Sequence, residues 1–171
     1  MLHHVSIGVA DVERAAQFYD AVLKKLGFKR VMEVMPYGIA YGIKFPQFWI
    51  QMPHDANASS AGNGVHIAFN ANSKSAVDAF HGAAVSAGGK DDGAPGHRPQ
   101  YTPEYYGAFV RDLDGNKIEA VFFDMSMSKP AASKAKARKA KPAKKAAAKK
   151  SAKKLAKAKT KKRARKGARR R

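Results

Sequence analysis

The first 124 residues of this 171-residue chain hold one pattern written twice, 62 positions apart. His4-Val5-Ser6-Ile7 falls on His66-Ile67-Ala68-Phe69, Asp11 on Ser73, Phe18 on Phe80 and Gly27 on Gly89, with no gap between them. A period this long marks two copies of one supersecondary unit. In each copy an alternating segment (Leu2–Val9, Val65–Phe69) predicts a strand. Asp11 and Ser73 follow as helix N-caps. Ala15, Phe18, Tyr19, Val22 and Leu26 then recur at helical spacing, as do Ala76, Val77, Phe80 and Ala84. Gly27 and Gly88-Gly89 close the two helices. Phe28–Val34, Ile39–Phe45 and Phe48–Met52 read as strands in the first copy. Tyr106–Arg111 and Lys117–Phe123 form a hairpin around Asp114-Gly115 in the second. Asp55–Asn63 is a polar link, and Asp91–Pro103, rich in Gly and Pro, reads as a loop. The expectation is a β-α-β-β-β unit used twice. It gives an α+β domain over 1–128 with modules at about 1–54 and 63–124.

Charge divides the chain at the end of that domain. The chain has 33 basic and 13 acidic residues; 22 of the basic ones lie in 129–171 with no acid, leaving 11 basic against 13 acidic residues in 1–128. The last 43 residues are mostly Lys, Ala and Arg, with one large apolar side chain, Leu155. Such a segment buries nothing and repels itself, so 129–171 is expected to be a disordered basic tail. Its partner is expected to be nucleic acid or another polyanion, bound without base readout. No aromatic is interleaved to stack on single strands, and nothing apolar accompanies the charge to anchor a membrane. There is no Cys, which removes disulfides and thiolate chemistry. The opening MLHHVSIGVAD has no basic n-region or apolar h-region, and no apolar run approaches a bilayer span. The expected location is cytoplasmic, with association to the nucleoid through the tail.

Strand alternation sorts the polar residues of the domain. His4 and Ser6 share a face of the first strand opposite Val5 and Ile7; His66 and Ala68 do the same in the second copy. Glu119 sits between Ile118 and Ala120, and Gln51 between Ile50 and Met52. Matching WIQ (49–51) with KIE (117–119), the pseudo-symmetry of the repeat brings His4 near His66 and Gln51 near Glu119. Two His and a carboxylate on one concave face suit a divalent cation with open positions, but strand histidines also serve as satisfied rim residues. His3 is expected on the helix side. His54 and His97 have no partner pattern, and His81 reads as a solvated helix residue. Trp49 lines a pocket or belongs to the core. Tyr101, Tyr105 and Tyr106 border the long loop and read as strand aromatics slightly more than as ligand contacts.

LHHVSIGVADVERAAQFY, GVHIAF and FVRDLDGNKIEAV resemble the signature segments of the vicinal oxygen chelate superfamily. It includes glyoxalase I, the fosfomycin and bleomycin resistance proteins and the extradiol dioxygenases. The resemblance spans residues 1–124 and rests most on H-x6-D (His4, Asp11) and D-x-D-G-x-x-x-E (Asp112, Asp114, Gly115, Glu119). It implies paired βαβββ modules forming a cup-shaped sheet, often shared across a homodimer. It implies a divalent metal (Fe, Mn, Ni or Zn) on His4, His66 and Glu119, with Gln51 at a fourth position that holds Glu in lactoylglutathione lyases. The implied function is a metal-dependent enzyme, a glyoxalase-like lyase or extradiol-type dioxygenase, on a small oxygenated substrate, with Glu119 as catalytic base. A non-catalytic binding module of the bleomycin-resistance type is the alternative. The tail resembles the Lys/Ala-rich arms of linker histones, and that likeness implies a nucleic-acid-associated protein in which the tail carries the function.

Overall fold

The computed structural model describes residues 2–126. The tail at 129–171, on which the expectations of disorder and polyanion binding fall, lies outside the described residues. Within them the repeat is realised as two like modules. The first runs β1 (Val5–Gly8), α1 (Val12–Leu23), a 3-10 turn (Lys24–Leu26), β2 (Lys29–Val34), β3 (Gly38–Gly42) and β4 (Phe48–Gln51). The second runs β5 (His66–Asn70), α2 (Lys74–Ser86), β6 (Lys90–His97), β7 (Tyr105–Arg111) and β8 (Lys117–Phe123). Each helix starts where its cap was expected. The Asp11 carboxylate accepts from the Arg14 N–H, and the Ser73 hydroxyl from the Ala76 N–H.

Each module closes into a four-stranded mixed sheet, β1-β4-β3-β2 and β5-β8-β7-β6, so β1 and β5 are edges. Their last strands return parallel to the first: β4 beside β1, β8 beside β5. One side of each sheet packs on the helices, and these sides share a single core. Tyr19, Val22, Ile39 and Ile50 enter it from the first module; Phe80, Ala84, Val110 and Ile118 enter it from the second. Phe48 and Phe69 meet edge-to-face at 5.1 Å across the modules. Sharing the helix side gives two small modules one core of adequate size. It also leaves the opposite sheet faces open to solvent.

β6 corrects the reading of Asp91–Pro103 as a loop. Gly93, Pro95 and Gly96 look like loop composition, but they sit on an edge strand with register shifts between Asp91 and Gly96. An edge tolerates a missing N–H and bulges that a central strand does not.

A polar latch ties the modules together. The buried Asp112 carboxylate accepts from the Tyr19 hydroxyl at 2.7 Å, and from the Asn116 backbone N–H at 2.7 Å and its side-chain amide at 3.0 Å. Burial and this carboxylate push the Tyr19 phenol well above its ordinary range. Asp114 accepts from the Ala10 N–H at 3.2 Å and from Arg14 at 2.9 Å. The acidic turn of the second module thus grips the start of α1 in the first.

Candidate functional site

Of the four residues singled out as ligands, the chain brings only His66 and Glu119 into contact. His66 Nε2 lies 2.8 Å from Glu119 Oε2. The pair forms because β5 and β8 are parallel with Ala68 opposite Glu119, which places the carboxylate beside the His66 ring. Glu119 is fully buried although it lies on the open face. Tyr105, on β7, donates to Glu119 Oε1 at 2.6 Å. Gly107 makes room for that carboxylate: a Cβ there would lie 2.6 Å from Oε1. Burial and the Glu119 bond push the Tyr105 phenol above its ordinary range. Tyr105 was read as a strand aromatic; its hydroxyl instead orients the buried carboxylate.

Glu119 Oε2 is different. It is buried without a hydrogen bond, because the His66 nitrogen is at bonding distance but not aligned to donate. A buried acceptor lacking a donor, with an imidazole nitrogen beside it, is the donor chemistry that a divalent cation takes. These residues fit half of a metal site.

His4 does not complete it within one chain. Among the described residues no group of three His, Cys, Asp or Glu is placed to hold a metal ion. His4 is exposed, and its Nδ1 lies 2.9 Å from His3 Nδ1. His3 is itself exposed, with its ring 5.8 Å from Phe45. His4 instead lines a cavity of about 420 Å³ with Phe28, Phe48 and the β5 residues Ile67, Ala68 and Phe69.

The register also revises Gln51. In the second module Glu119 pairs with Ala68, the second residue after His66; in the first, the second residue after His4 is Ser6, and it pairs with Trp49. The antiparallel neighbours agree: Trp49 faces Ala40 two positions past Gly38, and Glu119 faces Phe109 two positions past Gly107. Trp49 therefore occupies the place equivalent to Glu119, and Gln51 that of Val121. Gln51 and Trp49 instead line a cavity of about 550 Å³ with Val34, Tyr37 and Met52. Val34 and Met52 stay 46 and 42% exposed there, an apolar patch that would normally be covered.

Other histidines have partners the sequence did not disclose. His81 Nε2 is 2.9 Å from Asp91 Oδ1, and His97 stacks edge-on to Tyr106 at 5.2 Å. Asp92 accepts from both Lys117 and Arg111, and the Lys117 bond leads in holding it below the usual carboxylate range. Asp92 fell in the segment read as a loop and Tyr105 just before the expected strand, so neither carried a sequence signal for its contact.

Two βαβββ modules with a His–carboxylate pair on an open sheet face define a vicinal-oxygen-chelate fold. Residues 1–120 match the family model of the Glyoxalase/Bleomycin resistance protein/Dioxygenase superfamily, and the chain belongs to that superfamily. Among solved structures it is similar to a glyoxalase/bleomycin resistance protein from Albidiferax ferrireducens. That likeness has 36% identity and a TM-score of 0.64 over 71% of this chain and 98% of that one. It shares the fold alone with lactoylglutathione lyase from Agrobacterium tumefaciens (16% identity, TM-score 0.51, 73% of this chain, 95% of that one). The same holds for TioX from Micromonospora (16%, 0.52, 71% and 95%). No curated protein sequence matches the chain.

Proposed function

We propose that the chain is a metal-dependent enzyme of the glyoxalase/dioxygenase type, working as a homodimer on a small oxygenated substrate. The observation that carries this reading is the buried Glu119 Oε2, orphaned 2.8 Å from His66 Nε2. His66 and Glu119 of one copy and His4 of a second would hold one divalent ion, Fe, Mn, Ni or Zn. The ion, when bound, supplies a Lewis acid for a carbonyl or hydroxyl oxygen. Tyr105 keeps Glu119 Oε1 engaged, so one carboxylate oxygen faces the ligand. No second carboxylate stands at the equivalent place, where Trp49 lies. Glu119 is then the only carboxylate among the named ligands, and Gln51 accepts no proton. That argues against a lactoylglutathione lyase relying on two carboxylates.

The test uses complementation. Protein purified without chelator should carry about one ion per protomer, and His4→Ala or His66→Ala alone should lose it. Mixed His4→Ala/His66→Ala heterodimers should recover one site per dimer. Dimers that form without recovering the site would show that it is not shared. Protein that takes up no Mn, Fe, Ni or Zn would leave the non-catalytic binding module as the reading.

The tail is part of the proposal. With 22 basic residues and no acid, 129–171 should bind nucleic acid through phosphates alone. Neutralising about eight phosphates gives a slope of log K against log salt of roughly −7 on duplex DNA. Protein ending at Ser128, the boundary placed by composition, should lose that binding and keep its melting curve. Equal DNA affinity with and without the tail would refute this part.

A further inference from the structure

The open face of the second sheet carries Arg98, Arg111 and Lys117 against two carboxylates, Asp92 and the buried Glu119. Phe109 is an aromatic on that face, yet only 7% exposed. Its cover is largely cationic: the Lys117 ammonium is 4.9 Å and the Arg98 guanidinium 5.5 Å from the ring centroid, with the His66 ring at 5.7 Å. Two glycines of β6 make the Arg98 position possible. A Cβ at Gly93 would come within 2.9 Å of the Phe109 ring, and one at Gly96 within 3.1 Å of Arg98 Nη1. The Ala94 carbonyl accepts from Arg98 Nη2 at 2.6 Å and holds it there. Arg111 and Lys117 converge on a single oxygen, Asp92 Oδ2, at 3.3 and 3.0 Å. Lys117 and Arg111 thus share one carboxylate, while Arg98 bonds a backbone carbonyl. His66, Arg111 and Lys117 line a cavity of about 590 Å³ whose far wall is the Ala61–Val65 segment. Converging cations beside a concavity raise its potential and favour an anion there.

We infer that this cavity seats an oxyanionic group, a carboxylate or a phosphoryl group, on the small molecule whose oxygen meets His66 and Glu119. The link to His66 and Glu119 rests on the reading above; the anion site itself does not. Lys117 and Arg111 supply the charge, and the Arg guanidinium gives directional donors that fit either oxyanion. Asp92 competes with the ligand for both cations. The substrate class is a small acid or phosphate ester carrying a second oxygen able to chelate.

The experiment uses the full chain, treated with chelator, titrated separately with inorganic phosphate and with benzoate. The readout is amide NMR shifts at Gly62, Gly64 and Lys117, because the tail binds anions everywhere and a bulk signal would be dominated by it. The expected result is saturable shifts at these amides. Lys117→Met should weaken binding at least tenfold, and Arg98→Met severalfold. Asp92→Asn should tighten it, a sign that loss of a merely structural ion pair would not give. Lys25→Met, the same charge change on the 3-10 turn, should leave it within twofold. The tighter of phosphate and benzoate identifies the source chemistry. Shifts that never saturate, or that Lys117→Met leaves unchanged, would overturn the inference. So would Lys117→Met changing the dimer equilibrium in place of anion affinity, since the cations would then serve acids of a second copy. Metal titration of the same samples separates the two readings: anion binding without metal uptake sinks the enzyme proposal alone.

Discussion

Glu119→Gln should stabilise the metal-free protein while abolishing metal binding. The carboxylate is fully buried; Oε1 has the Tyr105 hydroxyl at 2.6 Å, and Oε2 has no aligned donor. An orphaned buried acceptor costs about 1–3 kcal/mol, and more when it carries charge. Glutamine keeps the volume, keeps an oxygen for Tyr105, and turns the orphan into an amide that can donate to His66. Against this stands whatever attraction His66 offers as a cation; its ring is over a third exposed and so screened. The balance is a gain of about 1–2 kcal/mol. For a domain of this size that raises Tm by roughly 3–8 °C. Urea and thermal unfolding of chelator-treated protein read the gain, and metal titration reads the loss. A Glu119→Gln protein less stable by more than about 1 kcal/mol would mean that protonated His66 already satisfies the carboxylate. Oε2 would then not be held open for an ion.

Three further outcomes follow from named contacts. Tyr19→Phe and Asp112→Ala should each destabilise by about 1.5–4 kcal/mol, and in a double-mutant cycle should couple by about 1–3 kcal/mol across the modules, read by urea unfolding; additivity would deny the latch. Burial raises the Asp20 carboxyl, but bonds from Arg30 and Tyr41 outweigh it and leave its pKa lowered. A lowered pKa gives stability that is present above about pH 4 and lost as pH falls through the folded value, so Asp20→Asn should flatten the fall in unfolding free energy below pH 4. An unchanged acid limb would refute that assignment. Gln51→Glu should leave Mn or Ni affinity within about twofold, whereas Trp49→Glu, at the place equivalent to Glu119, should tighten it about tenfold, near 1.4 kcal/mol; the reverse order would restore Gln51 as the fourth ligand.

The repeat, the caps at Asp11 and Ser73, and the core positions were legible because local periodicity encodes them. What the sequence hid depends on register and long-range contact. WIQ and KIE look equivalent as strings, but strand pairing aligns Trp49, not Gln51, with Glu119, and a two-residue slip leaves the face pattern unchanged. β6 was hidden because its glycines serve the Arg98 side chain and its proline sits on an edge. Asp112 and Asp114 were visible as a turn motif, but not as the acceptors of Tyr19, Ala10 and Arg14, whose positions lie about a hundred residues away.

The two modules diverge on one side only. On the helix side Phe48 matches Ile118, Ile50 matches Ala120 and Phe18 matches Phe80, because one shared core must be filled to close packing from both halves. The open faces carry no such constraint. The first presents Val34, Trp49 and Met52; the second presents a buried carboxylate, an imidazole, Lys117 and Arg98 over Phe109, and Arg111 on Asp92. An apolar half and a cationic half cannot serve the same part of a ligand. If the half-sites meet across a dimer, the ligand they fit is itself two-ended, with an apolar body against Trp49 and an oxyanion against Lys117 and Arg111. Substitutions should separate accordingly: Trp49→Ala should weaken binding of benzoate far more than that of inorganic phosphate, which has no apolar body, whereas Lys117→Met should weaken both. Equal losses for the two probes in Trp49→Ala would mean that the first face does not touch the ligand.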